Sequence, residues 1–177
     1  MSGGLPAFIE PLRLAERRQS LAGYVALARC RRLAESLADT EGEVEVDLEF
    51  DREGPRRVVV RGSVRAELRL VCQRCLEPMT LRVEAPVRLV VVRSEAEADR
   101  LEEGEDPLLV GQDPISLVEM VEDEILLALP QVPTHPPAVC GGPALAPGAD
   151  GDGPRAGGGP FATLASLRGG PGGKGDT

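Results

Sequence analysis

Four residues of the chain have the types and the spacing of a metal site. Cys72-Gln-Arg-Cys75 supplies two thiols, and His135-Pro-Pro-Ala-Val-Cys140 adds a third thiol and the single imidazole of the chain. Zinc takes four sulfur or nitrogen ligands in a tetrahedron, and tight turns usually donate them in closely spaced pairs. The pattern therefore predicts one structural zinc ion bound by Cys72, Cys75, His135 and Cys140.

Three other interpretations of these thiols stay open. Free cysteines are often buried simply as small apolar groups, and the same residues can form a redox pair or an oxidised crosslink. The redox interpretation lacks the strand-to-helix setting of thioredoxin-like motifs. Leu76 also follows the motif at a place where glycine often opens backbone N–H groups toward sulfur. Cys30 lies on an apolar stripe with helical spacing and is expected in the core.

Catalysis finds few suitable residues. Four carboxylates within residues 119–124 can in principle act as acid and base. Such a run on a capped amphipathic helix is usually a solvated face, stabilised in part by the helix dipole. No glycine-rich loop stands between a strand and a helix to cradle a phosphate, since Gly157–Gly159 lies in a flexible region. We expect no enzymatic activity and no small-molecule substrate.

Length and composition indicate one globular core. The chain has 177 residues, of which 42% are hydrophobic and 28% charged, and aromatics make up only 2%. The scarcity of aromatic residues disfavours stacking of nucleic-acid bases. No segment approaches the roughly 20 apolar residues of a membrane span, and residues 1–13 lack the pattern of a secretory signal. We expect a soluble cytoplasmic protein with no membrane partner. Thiols stay reduced in the cytoplasm.

Charge is distributed unevenly along the chain. The net charge is −9, yet residues 52–93 hold ten arginines against four acids, and residues 94–124 hold twelve acids against one arginine. These zones either form a bipolar surface for partners or neutralise each other. A direct RNA contact would use the basic zone, above all Arg57, Arg61, Arg65, Arg69 and Arg74.

Strict alternation of apolar and polar residues predicts three strands, at 43–51, 56–71 and 79–93. Gly54 and Pro55 supply the first turn, and short connections favour an antiparallel meander with one apolar face. One row of arginines on the second strand would face the acids of the first, and such pairs favour the hairpin modestly.

Helices are expected on the apolar face of this meander. Apolar residues at 26, 30, 33 and 37 recur with helical spacing, and Gly23 is predicted to separate that helix from one starting near Pro11. A second helix is predicted over about 114–129, with Asp113 as N-cap and Pro114 at the first position. Leu117, Val118, Val121, Ile125 and Ala128 should face inward, and Glu119, Glu122 and Asp123 should face water. Residues 94–106 are predicted as a mobile loop, and 107–110 as a short strand. The fold class is α+β.

The chain is predicted to divide into a domain, 1–140, and a flexible tail, 141–177. Of the 37 tail residues, 13 are glycine and five are proline. A segment of this composition buries too little apolar surface to offset the entropy cost of ordering it. One island, 160–168, places Phe161, Leu164 and Leu167 at helical spacing. It either docks on a partner protein or packs back on the domain.

Several segments together resemble a known family. Val71-Cys-Gln-Arg-Cys-Leu-Glu-Pro78, Met120-Val-Glu-Asp-Glu-Ile-Leu-Leu-Ala-Leu-Pro130, the later His135 and Cys140, and Pro160-Phe-Ala-Thr-Leu-Ala-Ser-Leu167 occur in this order. The chain resembles the proteobacterial branch of the YceD family, the large ribosomal RNA subunit accumulation proteins, over about residues 8–168. It departs from that family at residues 141–159, which are rich in glycine and proline where relatives tend to be acidic and polar.

The resemblance implies a cytoplasmic role in synthesis, processing or stability of 23S ribosomal RNA, with no established enzymatic activity. Two mechanisms follow. In the first, the protein is an adaptor that docks on a large-subunit ribosomal protein or a maturation factor. In the second, it binds 23S RNA through the arginine-rich sheet face. The net negative charge favours the adaptor.

Overall fold

The computed structural model describes residues 5–54 and 57–140. The elements are β1 (Phe8–Ile9), α1 (Pro11–Glu16), β2 (Ser20–Ala26), α2 (Arg31–Ala34), β3 (Glu43–Glu53), β4 (Arg57–Val71), β5 (Pro78–Val92), α3 (Glu95–Ala98), β6 (Asp106–Leu109), β7 (Ile115–Ser116) and α4 (Leu117–Ala128). A five-stranded sheet of order β2-β3-β4-β5-β6 carries the fold, and a two-stranded ladder joins β1 to β7.

The predicted antiparallel meander and the α+β class are confirmed. Strands β3, β4 and β5 pair consecutively and antiparallel. The alternating apolar residues have even numbers in β3 and β4 and odd numbers in β5, and they share one face of the sheet. Leu68 and Leu89 are both buried there. The pleat sends alternate side chains to opposite faces, so the period of two in the sequence was sufficient to orient all three strands.

Helix α4 packs on β4 and β5 and covers the apolar face, as expected. Its start differs from the prediction, because Ile115 and Ser116 pair with β1 and the Ser116 hydroxyl accepts the Glu119 backbone N–H at 3.2 Å. This Ser-x-x-Glu capping box competes with the Asp-Pro signal, whose N-cap candidate Asp113 lies three residues before Ser116. Two faces were also misassigned: Glu122 is buried, and Ala128 is exposed.

The helical prediction for the N-terminal region is wrong between Ser20 and Ala26, and Gly23 lies inside a strand instead of between helices. Strand β2 pairs with β3 over its whole length and satisfies backbone groups that β3 would otherwise leave at the sheet edge. The helix predicted to start near Pro11 is present as α1, whereas the helical spacing of residues 26–37 survives only as a 3₁₀ turn and the single turn α2. Cys30 and Leu33 are fully buried, so their expected place in the core is confirmed.

The acidic segment after β5 is more structured than the predicted loop. Helix α3 begins after Ser94, whose hydroxyl accepts the Glu97 backbone N–H at 3.3 Å. Beyond it, β6 runs parallel to β5, close to the predicted strand at 107–110. The segment covers a second, small apolar cluster on the opposite sheet face, formed by Val59, Val90 and Val92 with Ala98 and Leu101.

Gly62 lets β3 and β4 approach closely. Its φ of +148° and a backbone contact explain the glycine, since a Cβ built there would lie 1.9 Å from the Asp47 carbonyl oxygen. A residue with a side chain would therefore force β3 and β4 apart.

The predicted tail, 141–177, lies outside the described residues, and with it Phe161, Leu164 and Leu167 of the 160–168 island. The division into a domain and a flexible tail stays a prediction. Within the part of the chain that the structure describes, no helix is long and apolar enough to cross a membrane.

Candidate metal centre

The first half of the site is the turn between β4 and β5. The Cys72 backbone N–H donates to the Glu77 carbonyl at 3.0 Å, and the Leu76 N–H donates to the Cys72 carbonyl at 2.9 Å. Leu76 takes a left-handed conformation with φ of 63°. Glycine adopts this conformation without strain, whereas leucine does not. The turn therefore forms with a residue that is poorly suited to it.

The second half of the site is the segment after α4. Its path is anchored to the hairpin where the Gln73 N–H donates to the Pro133 carbonyl at 2.8 Å. A following turn brings Cys140 back, because the Pro136 carbonyl accepts the backbone N–H of Val139 at 3.0 Å and of Cys140 at 3.2 Å. The prolines restrict the backbone here and favour one path for the segment.

Cys72, Cys75, His135 and Cys140 converge, with their ligand atoms all within 4.8 Å of one another. The Sγ atoms of Cys72 and Cys140 are 3.9 Å apart, and Cys75 Sγ lies 3.3 Å from His135 Nδ1. A tetrahedral zinc site with Zn–S distances of about 2.3 Å separates its sulfurs by about 3.8 Å. The donor set and its spacing therefore fit a zinc ion.

The imidazole of His135 is oriented by a backbone group. Its Nε2 lies 3.2 Å from the Pro78 carbonyl oxygen, which can only accept a hydrogen bond. The proton is thus assigned to Nε2, and the lone pair of Nδ1 points into the cluster. Metal-ligating histidines are commonly held in this way by a partner on the second nitrogen.

The sulfur of Cys72 is surrounded by hydrogen-bond donors. Burial alone would raise the pKa of this thiol, but backbone N–H groups of Cys75, His135 and Arg74 lower the pKa to about 5. The His135 N–H lies 3.4 Å from the sulfur. Thiolates, not thiols, are the metal ligands, so these donors favour at Cys72 the protonation state that a metal requires. At Cys75 a backbone hydrogen bond from Glu77 lowers the pKa, but burial and the neighbouring thiols of Cys140 and Cys72 raise it above its usual value.

Arg74 belongs to this cluster. Its Nε–H donates to Cys140 Sγ at 2.9 Å, and another guanidinium N–H donates to the His135 carbonyl at 3.1 Å. The Cys140 sulfur is the main reason that the pKa of Arg74 is raised. The structure places the side chain of Arg74 against Cys140 and His135, and its predicted contact with RNA stays a prediction.

The other predicted RNA-contacting arginines form ion pairs with acids. Arg57 contacts Glu53 and Glu105, and Arg61 also contacts Glu53. The remaining pairs are Arg65 with Glu84 at 2.9 Å and Arg69 with Asp39 at 3.0 Å. Directly opposite partners in the β3 ladder include Glu45 for Arg65 and Glu49 for Arg61. The arginine row is therefore largely neutralised within the protein.

Sequence reasoning missed the structural role of Glu122. This carboxylate is 3% exposed, accepts the backbone N–H of Leu33 at 2.8 Å and pairs with Arg32 at 3.2 Å. It thereby caps the first turn of α2 from a distant helix and ties the N-terminal segment to α4. Its place beside Asp123 and Glu124 resembled a solvated run, and no local pattern distinguishes it.

Comparison with known proteins agrees with the sequence resemblance. Residues 60–168 match the family described as large ribosomal RNA subunit accumulation protein YceD. The chain belongs to the YceD family. The protein of that name from Haemophilus influenzae is 35% identical over 137 residues, which cover 77% of this chain and 79% of the relative. No solved structure matches the chain.

The matched range of the YceD family contains the whole candidate metal centre and extends through the 160–168 island. It begins within β4, so β2 and β3 lie before it. The longer pairwise similarity to the Haemophilus influenzae relative supports the same assignment.

Proposed function

We propose that this protein is a non-enzymatic cytoplasmic ribosome-biogenesis factor that supports synthesis, processing or stability of 23S ribosomal RNA as an adaptor to large-subunit components. The relative from Haemophilus influenzae carries the name large ribosomal RNA subunit accumulation protein, and this supports the general role. The adaptor mechanism is supported by a separate observation, the state of the arginine row.

The arginine row favours protein over RNA as the direct partner. Arg57, Arg61, Arg65 and Arg69 each contact a carboxylate. A phosphate backbone would have to displace these carboxylates, and the released acids would repel it. Proteins that bind nucleic acid electrostatically gain affinity by releasing counterions from phosphates, and arginines already paired gain less from that exchange.

We further propose that Cys72, Cys75, His135 and Cys140 bind one structural zinc ion. A four-ligand set of this kind leaves no open position for water or substrate, which is the property of structural sites as opposed to catalytic ones. In this chain it would join the segment after α4 to the β4–β5 hairpin. The proposed partner is a large-subunit ribosomal protein or maturation factor, and Phe161, Leu164 and Leu167 are proposed as one of its contacts.

The adaptor mechanism can be tested by capture from growing cells, with and without ribonuclease. An adaptor retains its ribosomal or maturation partner after ribonuclease treatment, and a contact made through the apolar 160–168 island depends weakly on salt. Binding through 23S RNA is lost after ribonuclease and falls steeply with salt. A triple Ser variant of Phe161, Leu164 and Leu167 should weaken capture and leave the melting temperature nearly unchanged. A much lower melting temperature would show that the island belongs to the fold.

The biological role is tested in a strain that lacks the gene. Mature 23S RNA and large subunits should fall relative to small subunits, and the wild-type gene should restore them. Restoring the gene with the Arg82→Ala substitution provides a surface control. The ion pair of Arg82 with Glu67 is exposed on both sides and should matter little, so this variant should restore large subunits as the wild-type gene does. Unchanged subunit profiles and precursor levels in the deletion strain, including under cold stress, would contradict the proposal.

A further inference from the structure

One edge of the main sheet has backbone groups without partners in the described residues. The Leu27 N–H donates to the Gly42 carbonyl, and the Phe50 N–H donates to the Gln19 carbonyl. These bonds set the phase of the β2–β3 ladder, in which odd-numbered residues of β2 bond to β3. The N–H and C=O groups of Ser20, Ala22, Tyr24 and Ala26 therefore point away from the sheet.

The two edges of this sheet differ in their protection. The β6 edge has only four residues, two of which are Asp106 and Pro107. Its short length, the charge and the proline all discourage the addition of another strand. The β2 edge has seven residues, Ser20–Ala26, with neither a charge nor a proline. Natural sheets protect an edge of this kind unless they use it to bind an extended chain.

A row of carboxylates lies one strand in from the β2 edge. The register places Ser20 beside Glu49, Ala22 beside Asp47, Tyr24 beside Glu45 and Ala26 beside Glu43. All four acids are exposed. Glu45 and Glu49 lie opposite Arg65 and Arg61 of β4, but no ion pair within 4 Å joins any of the four acids to another residue of the described ranges. The short side chains of Ser20, Ala22 and Ala26 leave these carboxylates accessible from beyond the edge.

We propose that β2 binds an extended basic segment of a partner protein, which adds a sixth strand to the sheet. Neighbouring strands lie about 4.8 Å apart, so lysine or arginine at alternate positions of the added strand can cross the small Ala22 and Ala26 side chains and reach the row of acids. Tyr24 is 56% exposed and offers its ring to the aliphatic stem of one such side chain.

The identity of the partner rests on the proposed function. A component of the large subunit that contacts RNA carries basic segments to neutralise phosphates. Before assembly such a segment is extended and positively charged, and the acidic row beside an open edge is complementary to it. Backbone pairing with β2 would supply affinity, and the row of acids would supply preference for alternating basic side chains.

The test uses the full-length protein and a synthetic eight-residue peptide of alternating lysine and valine. Hydrogen exchange should show new protection of the Ala22, Tyr24 and Ala26 amides when the peptide binds. Ala22→Pro removes one outward N–H and leaves the β2–β3 bonds in place, so the affinity should fall about tenfold. Replacing Glu45 and Asp47 by Gln and Asn should lower it roughly three- to tenfold and reduce its salt dependence.

The control peptide alternates glutamate and valine and should not bind. The control variant carries Glu102→Gln and Glu103→Gln, the same change of charge on exposed acids near α3, and should bind the lysine peptide as wild type does. Protection at other amides, or equal affinity in both acid variants, would overturn the proposal. So would protection of the β2 amides in the free protein together with a concentration-dependent dimer, because the occupant would then be a second copy.

These results are independent of the ribosomal phenotype. Peptide binding at β2 without any effect of gene loss on 23S RNA would refute the proposed function, but the proposal that β2 binds an extended basic segment would stand. A clear effect on 23S RNA with no peptide protection at β2 would refute the binding edge alone.

Discussion

Zinc should stabilise the folded protein by an amount that can be worked out from the site. The metal would connect the β4–β5 hairpin to the 129–140 segment, which the structure holds there by few other bonds, among them that of Gln73 with Pro133. Zinc that binds the folded state alone at a free concentration 100 times its dissociation constant adds about 2.7 kcal/mol. In a protein of this size that corresponds to a rise in melting temperature of about 5–11 °C.

The assay compares thermal unfolding of the reduced, chelator-treated protein before and after addition of zinc. His135→Ala removes one ligand and should abolish the shift. Thiol reactivity provides a second measurement, because chelation should expose Cys75 and Cys140 to a thiol reagent. Cys30 serves as an internal control, since it is fully buried and burial raises its pKa to about 11. It should react only after unfolding.

The zinc interpretation fails if excess zinc leaves the melting temperature of the wild-type protein unchanged. It fails equally if His135→Ala and Cys140→Ser retain the full shift, since the metal would then bind elsewhere. Zinc content of the protein as purified is a weaker criterion, because chelators can remove a metal from a site in which Cys75 and Cys140 are partly exposed.

Three further predictions concern stability. Gly62→Ala should lower the free energy of unfolding by at least about 3 kcal/mol, because the added Cβ meets the β3 backbone. Gly111→Ala places its Cβ in open space and should be nearly neutral. Denaturant titration of both variants measures the two costs, and equal costs would contradict the close approach of β3 and β4 at Gly62. Leu76→Gly relieves about 1–2 kcal/mol of left-handed strain against about 0.5–1 kcal/mol of entropy, so urea titration of the chelated protein should show a small gain, and a loss above about 1 kcal/mol would refute the strain. The Arg57 guanidinium lowers the pKa of Glu105, so this carboxylate stabilises the fold at pH values above its unfolded pKa, and that stabilisation is lost as the pH falls through the folded pKa. The Glu105→Gln variant should therefore be less stable than wild type at pH 7, and the difference should vanish in acid. Unfolding curves measured across that pH range would show this.

Local pattern was sufficient for the central sheet. In β3, β4 and β5 apolar and polar residues alternate over long runs, and a strand has only two faces, so the alternation alone assigns each side chain. The clustering of Cys72, Cys75, His135 and Cys140 was also predictable, because Cys72 and Cys75 stand at a hairpin tip and zinc chemistry restricts the residues that could complete a site there. Neither inference required knowledge of distant contacts.

Tertiary structure decided the features that depend on competing partners. Residues 20–26 form a strand because β3 offers an open edge, and helical spacing in the neighbouring residues could not reveal it. The start of α4 moved to Leu117 because Ile115 pairs with Ile9. Glu122 is buried because the backbone of α2 needs an acceptor. The Pro78 carbonyl orients His135 Nδ1 toward the thiols. Each of these outcomes depends on a group far away in the sequence, so local periodicity carries no information about it.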